Sequence, residues 1–223
     1  MVESTDVSAD GNPELNACDQ RPAWTSLTAW ATLVLVLIAG LFIDLGSKSW
    51  AFHSVANKPV VLDYEAVVSE GFNPPWHEGV RVLPGDLLDF HLVLNRGAVF
   101  GIGQDSRVLF MIFTIIAVTV AVGVFGWWTR ASSHLAHVAI AMILAGGIGN
   151  LYDRVAVGAV RDFMHMLPRW DLPWGMNWPG GSSEVFPWVF NIADVMLLLG
   201  MALLLLHVRL SDRMAAKKQA AES

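Results

Sequence analysis

Leu33-Val34-Leu35-Val36-Leu37-Ile38 lies at the centre of an apolar stretch running from roughly Trp24 to Ser49. The length of that stretch decides the class of fold. A helix needs about 20 apolar residues to cross a bilayer, and three more stretches of that size follow, at roughly 108–128, 134–152 and 186–207. One alone could be the buried helix of a large soluble protein. Four in 223 residues leave too little polar chain to cover them. The expected fold is therefore an all-α polytopic membrane protein with four transmembrane helices. Composition agrees, at 54% hydrophobic and only 15% charged.

Tryptophans flank these stretches (Trp24, Trp30, Trp50, Trp127, Trp128, Trp188), as interface anchors do. Orientation follows from positive charge near the span ends. Arg209, Arg213, Lys217 and Lys218 follow the last span, and Arg130 lies in the short second loop. With four spans the termini share a side, so both are expected to be cytoplasmic. The loops at about 50–107 and 153–185 then face outward. Residues 1–23 are polar and acidic and read as a disordered cytoplasmic tail, not a signal peptide. Residues 24–210 form the membrane domain, and 211–223 a basic cytoplasmic tail. The net charge of −6 comes with no basic stripe, which argues against nucleic acid. Cys18 is the single cysteine, so no disulfide framework or cysteine-rich metal site is expected, and no cofactor is called for. Leu15-Asn16-Ala17-Cys18 looks like a lipidation box, but nothing hydrophobic precedes it.

The first outer loop holds strand-prone pieces: Lys58-Pro59-Val60-Val61-Leu62, Val80-Arg81-Val82-Leu83-Pro84, and Leu87 through Leu94, with Asn95-Arg96-Gly97 as a turn. They predict a small extracytoplasmic antiparallel β-sheet within that loop. The tryptophan- and proline-rich stretch from Pro168 to Pro187 is too broken for a helix and is expected to lie on the membrane interface.

Polar residues in the spans carry the functional argument, because ionisable groups at membrane depth are costly and mark function by default. Asp44 and Lys48 lie four apart and can pair on one helix face; alone they could equally be a helix-end pair reaching for the interface. Ala145-Gly146-Gly147-Ile148-Gly149 permits close helix approach, which leaves the following Asn150, Asp153 and Arg154 unexplained. Asp162 follows this span and Asp194 opens the next, three residues after Asn191. Taken singly, Asp194 could be a helix N-terminal residue stabilised by the dipole and Asp162 a turn residue. Two carboxylates brought together in a poorly solvated place would share a proton and titrate as a unit. His134 and His137 read as interface residues, and His165 as a bystander.

Five blocks resemble those of the lipoprotein signal peptidases (signal peptidase II): Asp44-x-x-Ser47-Lys48, Asn95-x-Gly97-Ala98-x-Phe100, Gly146-Gly147-x-Gly149-Asn150-x-x-Asp153-Arg154, Gly158-x-Val160-x-Asp162-Phe163 and Phe190-Asn191-x-Ala193-Asp194. They occur in the family's order, over roughly residues 27–207. The resemblance implies an aspartic endopeptidase of the bacterial inner membrane, multi-pass, with its active site near the outer face. Its substrate would be a prolipoprotein carrying diacylglyceryl on the cysteine after the cut, drawn from membrane lipid, and globomycin would inhibit it. It also implies Asp162 and Asp194 as the catalytic pair, Asn95, Asn150, Arg154 and Asn191 as cleft-lining groups, and Asp44, Lys48 and Asp153 as support. A monomer is the simplest expectation. Three departures stand out: Arg161 where the family has an apolar residue, a longer separation of Asp162 from Asp194, and an extended first outer loop. The rival reading from the residues alone is a small proton-coupled carrier using the same carboxylates, although paired, similar halves are not found. A scaffold protein whose aspartates merely cap helices is the blander alternative.

Overall fold

The computed structural model describes residues 21–97 and 107–222. Expectations for residues 1–20, including the Cys18 box, and for Ala98 and Phe100 of the second block lie outside the described residues. Among those described, four helices are long and apolar enough to cross a membrane. Helix α1 spans Leu27–Ser54, and the short α2 spans Tyr64–Ser69. Helix α3 spans Arg107–Gly123 and continues as a π-helical turn, Val124–Trp128. Helix α4 spans His134–Ala156, and α5 spans Ile192–Glu222.

Helix α4 is the most enclosed span and the one the others pack around. Its small residues explain why. At Gly146 the backbone of Ala193 on α5 occupies the space a Cβ would need, so the two helices touch backbone to backbone. At one end of the bundle Ala23, Ala29, Leu33, Phe125, Ile140 and Leu144 form an apolar core. His137 belongs to this core. It is fully buried with its ring edge-on to Phe125, which corrects its reading as an interface residue. At the other end lie the polar groups and a sheet.

That sheet has four antiparallel strands in the order β1-β2-β3-β4: Val80–Leu83, Leu88–Asn95, Val160–Met166 and Val189–Phe190. Only β1 and β2 come from the loop after α1, so the expectation of a sheet confined to that loop is corrected. The segment after α4 alternates in burial and completes the ladder, pairing Phe90 with Met164, Val93 with Asp162 and Asn95 with Val160. An irregularity between Phe90 and Val93 resets the register. It puts Asn95 and Asp162 on the same face, since side chains alternate along a strand.

Three further differences have simple causes. Lys58–Leu62 is not a strand: Val60 N donates to Phe52 O at 2.8 Å, and Val60 and Leu62 pack onto the core under the sheet. Helix α2 was not foreseen; Asp63 caps it by accepting from Ala66 N at 3.0 Å. The last helix begins at Ile192 rather than Phe186, because the aromatic residues before it are not helical and pack on one another: Phe186 against Trp188 and Phe190, and Trp188 against Trp178.

Candidate active site

The polar end of the bundle gathers side chains from α1, α4, α5, β2 and β3. Asp44 and Lys48 lie one turn apart on α1, both fully buried, with Lys48 Nζ 2.8 Å from Asp44 Oδ2. Lys48 does not reach for the interface. Its ammonium also donates to Asn150 Oδ1 at 2.9 Å and lies 3.3 Å from Asp153 Oδ2. Asp44 turns its other oxygen to α5, accepting from Ala193 N at 2.9 Å. There is room for this carboxylate only because position 149 is glycine: a Cβ there would overlap Asp44 Oδ2.

Helix α5 starts with reciprocal capping. Asn191 Oδ1 accepts from Asp194 N at 3.2 Å, and Asp194 Oδ2 accepts from Asn191 N at 3.1 Å. This is the capping-box arrangement with Asp in the third position. Asn191 is fully buried, and its amide donates to Asp162 Oδ1 at 2.6 Å and to Asn150 Oδ1 at 3.1 Å. Asn150 in turn donates to Asp194 Oδ1 at 2.8 Å, and Asn95 donates to Asp162 Oδ2 at 3.0 Å. Two side-chain amides thus link the carboxylates, and a third closes the far side of Asp162.

Asp162 is 1% exposed. Burial, and then the charge of Asp194 beside it, push its carboxyl up to about 8, against the pull of the Asn95 and Asn191 amides. Asp162 therefore gives up its proton less readily than an exposed carboxyl does. Arg154 approaches from the last turn of α4, with Nη1 donating to Asn150 O at 3.2 Å and the guanidinium 5.6 Å from the centre of the Phe110 ring. Its Nε is buried and has no hydrogen-bond partner among the described residues.

All nine residues singled out in the sequence converge here. Arg161, which was not among them, belongs to the same network but points away from Asp162. Its Nε and Nη2 lie 3.0 and 2.7 Å from Asp153 Oδ1, and its backbone N lies 3.0 Å from Oδ2. Strand alternation was the signal: neighbours on β3 face opposite ways. Asp153 thus sits between Lys48 and Arg161, so two acids and two bases balance.

Fold and site together define a class: a four-helix membrane protein that holds two carboxylates in an amide-lined cluster at one end of the bundle. Residues 35–210 match the family model of signal peptidase (SPase) II, and the chain belongs to that family. The lipoprotein signal peptidase of Caulobacter vibrioides is 39% identical over 181 residues, covering 76% of this chain and 93% of the relative. That of Methylorubrum extorquens is 32% identical over 182 residues, covering 81% and 86%. A bacterial membrane enzyme solved by the in meso method at 1.9 Å is 25% identical, with a TM-score of 0.56 over 80% of this chain and 92% of that one. A second, at 2.3 Å and 24% identity, matches in fold with a TM-score of 0.58 over 87% and 93%. Membership makes the chain a membrane-embedded protease.

Proposed function

We propose that the chain is an aspartic endopeptidase that removes the signal peptide from diacylglyceryl-modified prolipoproteins, cutting just before the lipidated cysteine. The observation that carries this reading is the Asn191 bridge: its side chain holds Asp162 and its backbone N–H holds Asp194. Two carboxylates fixed through one residue in a buried site cannot both ionise easily, so they share a proton. The ionised member takes a proton from a water molecule, which attacks the scissile carbonyl. The protonated member hydrogen-bonds the carbonyl oxygen as charge develops on it, and a proton is then passed to the leaving amine. Asp162 and Asp194 are the catalytic pair. Arg154 holds a backbone carbonyl of the substrate through its guanidinium fork. Asn95, Asn150 and Asn191 hold the carboxylates, and the neutral Asp44-Lys48-Asp153-Arg161 set supports them from behind.

The protein sits in the bacterial inner membrane with both termini cytoplasmic and this site near the outer face, and it works as a monomer. A substrate already anchored by acyl chains reaches the site laterally between helices, so lipid burial sets where it resides more than how tightly it binds. The test is purified protein in detergent with a lipidated prolipoprotein, with and without globomycin. Globomycin-sensitive cleavage before the modified cysteine is expected. Equal cleavage of an unlipidated precursor would overturn the substrate assignment. Proton-coupled solute uptake without cleavage would replace the reading with that of a carrier.

A further inference from the structure

Between β3 and β4 the chain makes an excursion that the active site does not use. Residues 167–188 fold back on themselves. Leu172 N donates to Ser183 O at 2.7 Å, Val185 N to Trp170 O at 2.6 Å and Trp178 N to Ser182 O at 2.9 Å. The base is fastened to the sheet. Leu167 N donates to Leu87 O at 3.0 Å, Trp170 Nε1 donates to Gly85 O at 3.1 Å, and Arg169 pairs with Asp86 and Asp89 at 2.6 and 2.9 Å.

The aromatic residues of this hairpin are treated in two ways. Trp178, which opens the closing turn, lays its ring edge-on to Trp188 at 4.9 Å. Trp174, in the short helical turn Pro173–Gly175 of the outgoing arm, is 91% exposed, and its backbone is held at φ 58°. A bulky residue in the left-handed region is a strained outlier, and such strain is associated with functional display. Here a turn that glycine would make more easily instead presents a bare indole. Trp170 at 49% and Met176 at 47% extend the exposed apolar surface, and Leu87 and Met166 continue it onto the sheet.

The height of this surface relative to the membrane can be read from α1. Trp50 precedes the end of α1 by one turn and is half exposed on the outside of the bundle. Its ring meets that of Phe90 on β2 at 5.5 Å. The middle of the sheet therefore lies beside the last turn of α1, not above it. Phe90 pairs with Met164, and the hairpin leaves β3 just beyond Met166. The apolar edge is thus continuous with the end of the bilayer-facing surface of a membrane span, where tryptophan rings are favoured.

We propose that this hairpin rests in the headgroup layer of the bilayer, with the Trp174 side chain inserted at the level of the acyl boundary. It is a third kind of membrane contact beside the spans and their flanking aromatics, and it pins the sheet that carries Asp162. The inference is independent of the catalytic reading, because it depends only on where the hairpin lies.

The test uses full-length protein with Cys18→Ser and Trp174→Cys, labelled with nitrobenzoxadiazole at the new thiol, in nanodiscs of phosphatidylcholine and phosphatidylglycerol. Blue-shifted emission is expected, with strong quenching by headgroup spin-labelled lipid and weak quenching by aqueous iodide. Water-like emission with full iodide quenching would overturn the proposal. So would a blue shift that lipid labels leave unquenched but that tracks intermolecular crosslinking, since a second copy would then be the occupant. If Trp174→Cys fails to fold, the same measurement through Met176→Cys carries the same expectations.

Discussion

Two sets of ion pairs in this molecule look alike on paper and differ in what surrounds them. In the bundle, Lys48 pairs with Asp44 at 2.8 Å with both side chains fully buried. At the sheet edge, Arg169 pairs with Asp86 at 2.6 Å, the side chains being 46% and 32% exposed. The shorter contact is the more screened one. Water and salt screen the edge pair, whereas the buried set must offset its loss of hydration through its own members and its bonds to Asn150 and Ala193 N. Distance says that groups touch; burial says what happens when one is removed.

The most severe way to break the comparison is at the two carboxylates that the buried set supports. Asp162→Asn and Asp194→Asn should each lower prolipoprotein cleavage by roughly 10²–10⁴-fold, the range of acid–base assistance. Helical content and membrane insertion should be unchanged by circular dichroism and extraction. Near-normal turnover in either variant would remove the dyad from the mechanism.

Next comes Lys48→Met, which leaves Asp44 and Asp153 without their shared cation. It should destabilise the protein by about 3–5 kcal/mol, the usual result of orphaning a buried charge, and thermal unfolding in detergent would show it. Gly149→Ala drives a methyl into the Asp44 carboxylate and should lose about 1–3 kcal/mol as an overpacked site. A midpoint equal to the parent's would mean that α4 can shift away from α1.

Changes in pH sharpen the contrast. Asp162, raised to about 8 by burial and by Asp194, keeps its proton through neutrality, so cleavage should fall as pH rises through about 8. Folded Asp162 also binds its proton more tightly than the unfolded chain does. Its contribution to stability therefore falls as pH rises from the ordinary carboxylate range to about 8. Arg161→Leu removes the cation that balances Asp153 and should move the basic limb of the rate profile upward, while Arg161→Lys restores it. A limb that stays in place would show that Asp153 shields the pair completely. Smallest of all is Arg81→Ala, whose pair with Asp86 is exposed on both sides; it should leave the thermal midpoint within the scatter of repeat measurements.

The spans were legible because run length is a strong signal, and Asp44, Lys48, Asn150, Asp153, Asn191 and Asp194 were legible because polar residues have few reasons to be on such helices. What the sequence hid was pairing at a distance. Strand β3 was missed because Arg161 and Asp162 interrupt its apolar pattern, although both are satisfied, on opposite faces, by Asp153 and by Asn95 and Asn191. The sequence places the start of α5 too early because Phe186–Phe190 is as apolar as a helix but is bent and packed on its own aromatic rings. Asn191 could be assigned to the same face as Asp194 from spacing alone. That it also holds Asp162, 29 residues away, needed the fold.

The bond from Ala193 N to Asp44 has a consequence for biosynthesis. The first span supplies an acceptor that the last span must arrive to fill, and Asn191 and Asp194 come with it. Until the ribosome has released α5 into the membrane, Asp162 has neither its bridging amide nor its partner carboxylate. The nascent protein therefore lacks the amide-linked pair of carboxylates until its last span is in place.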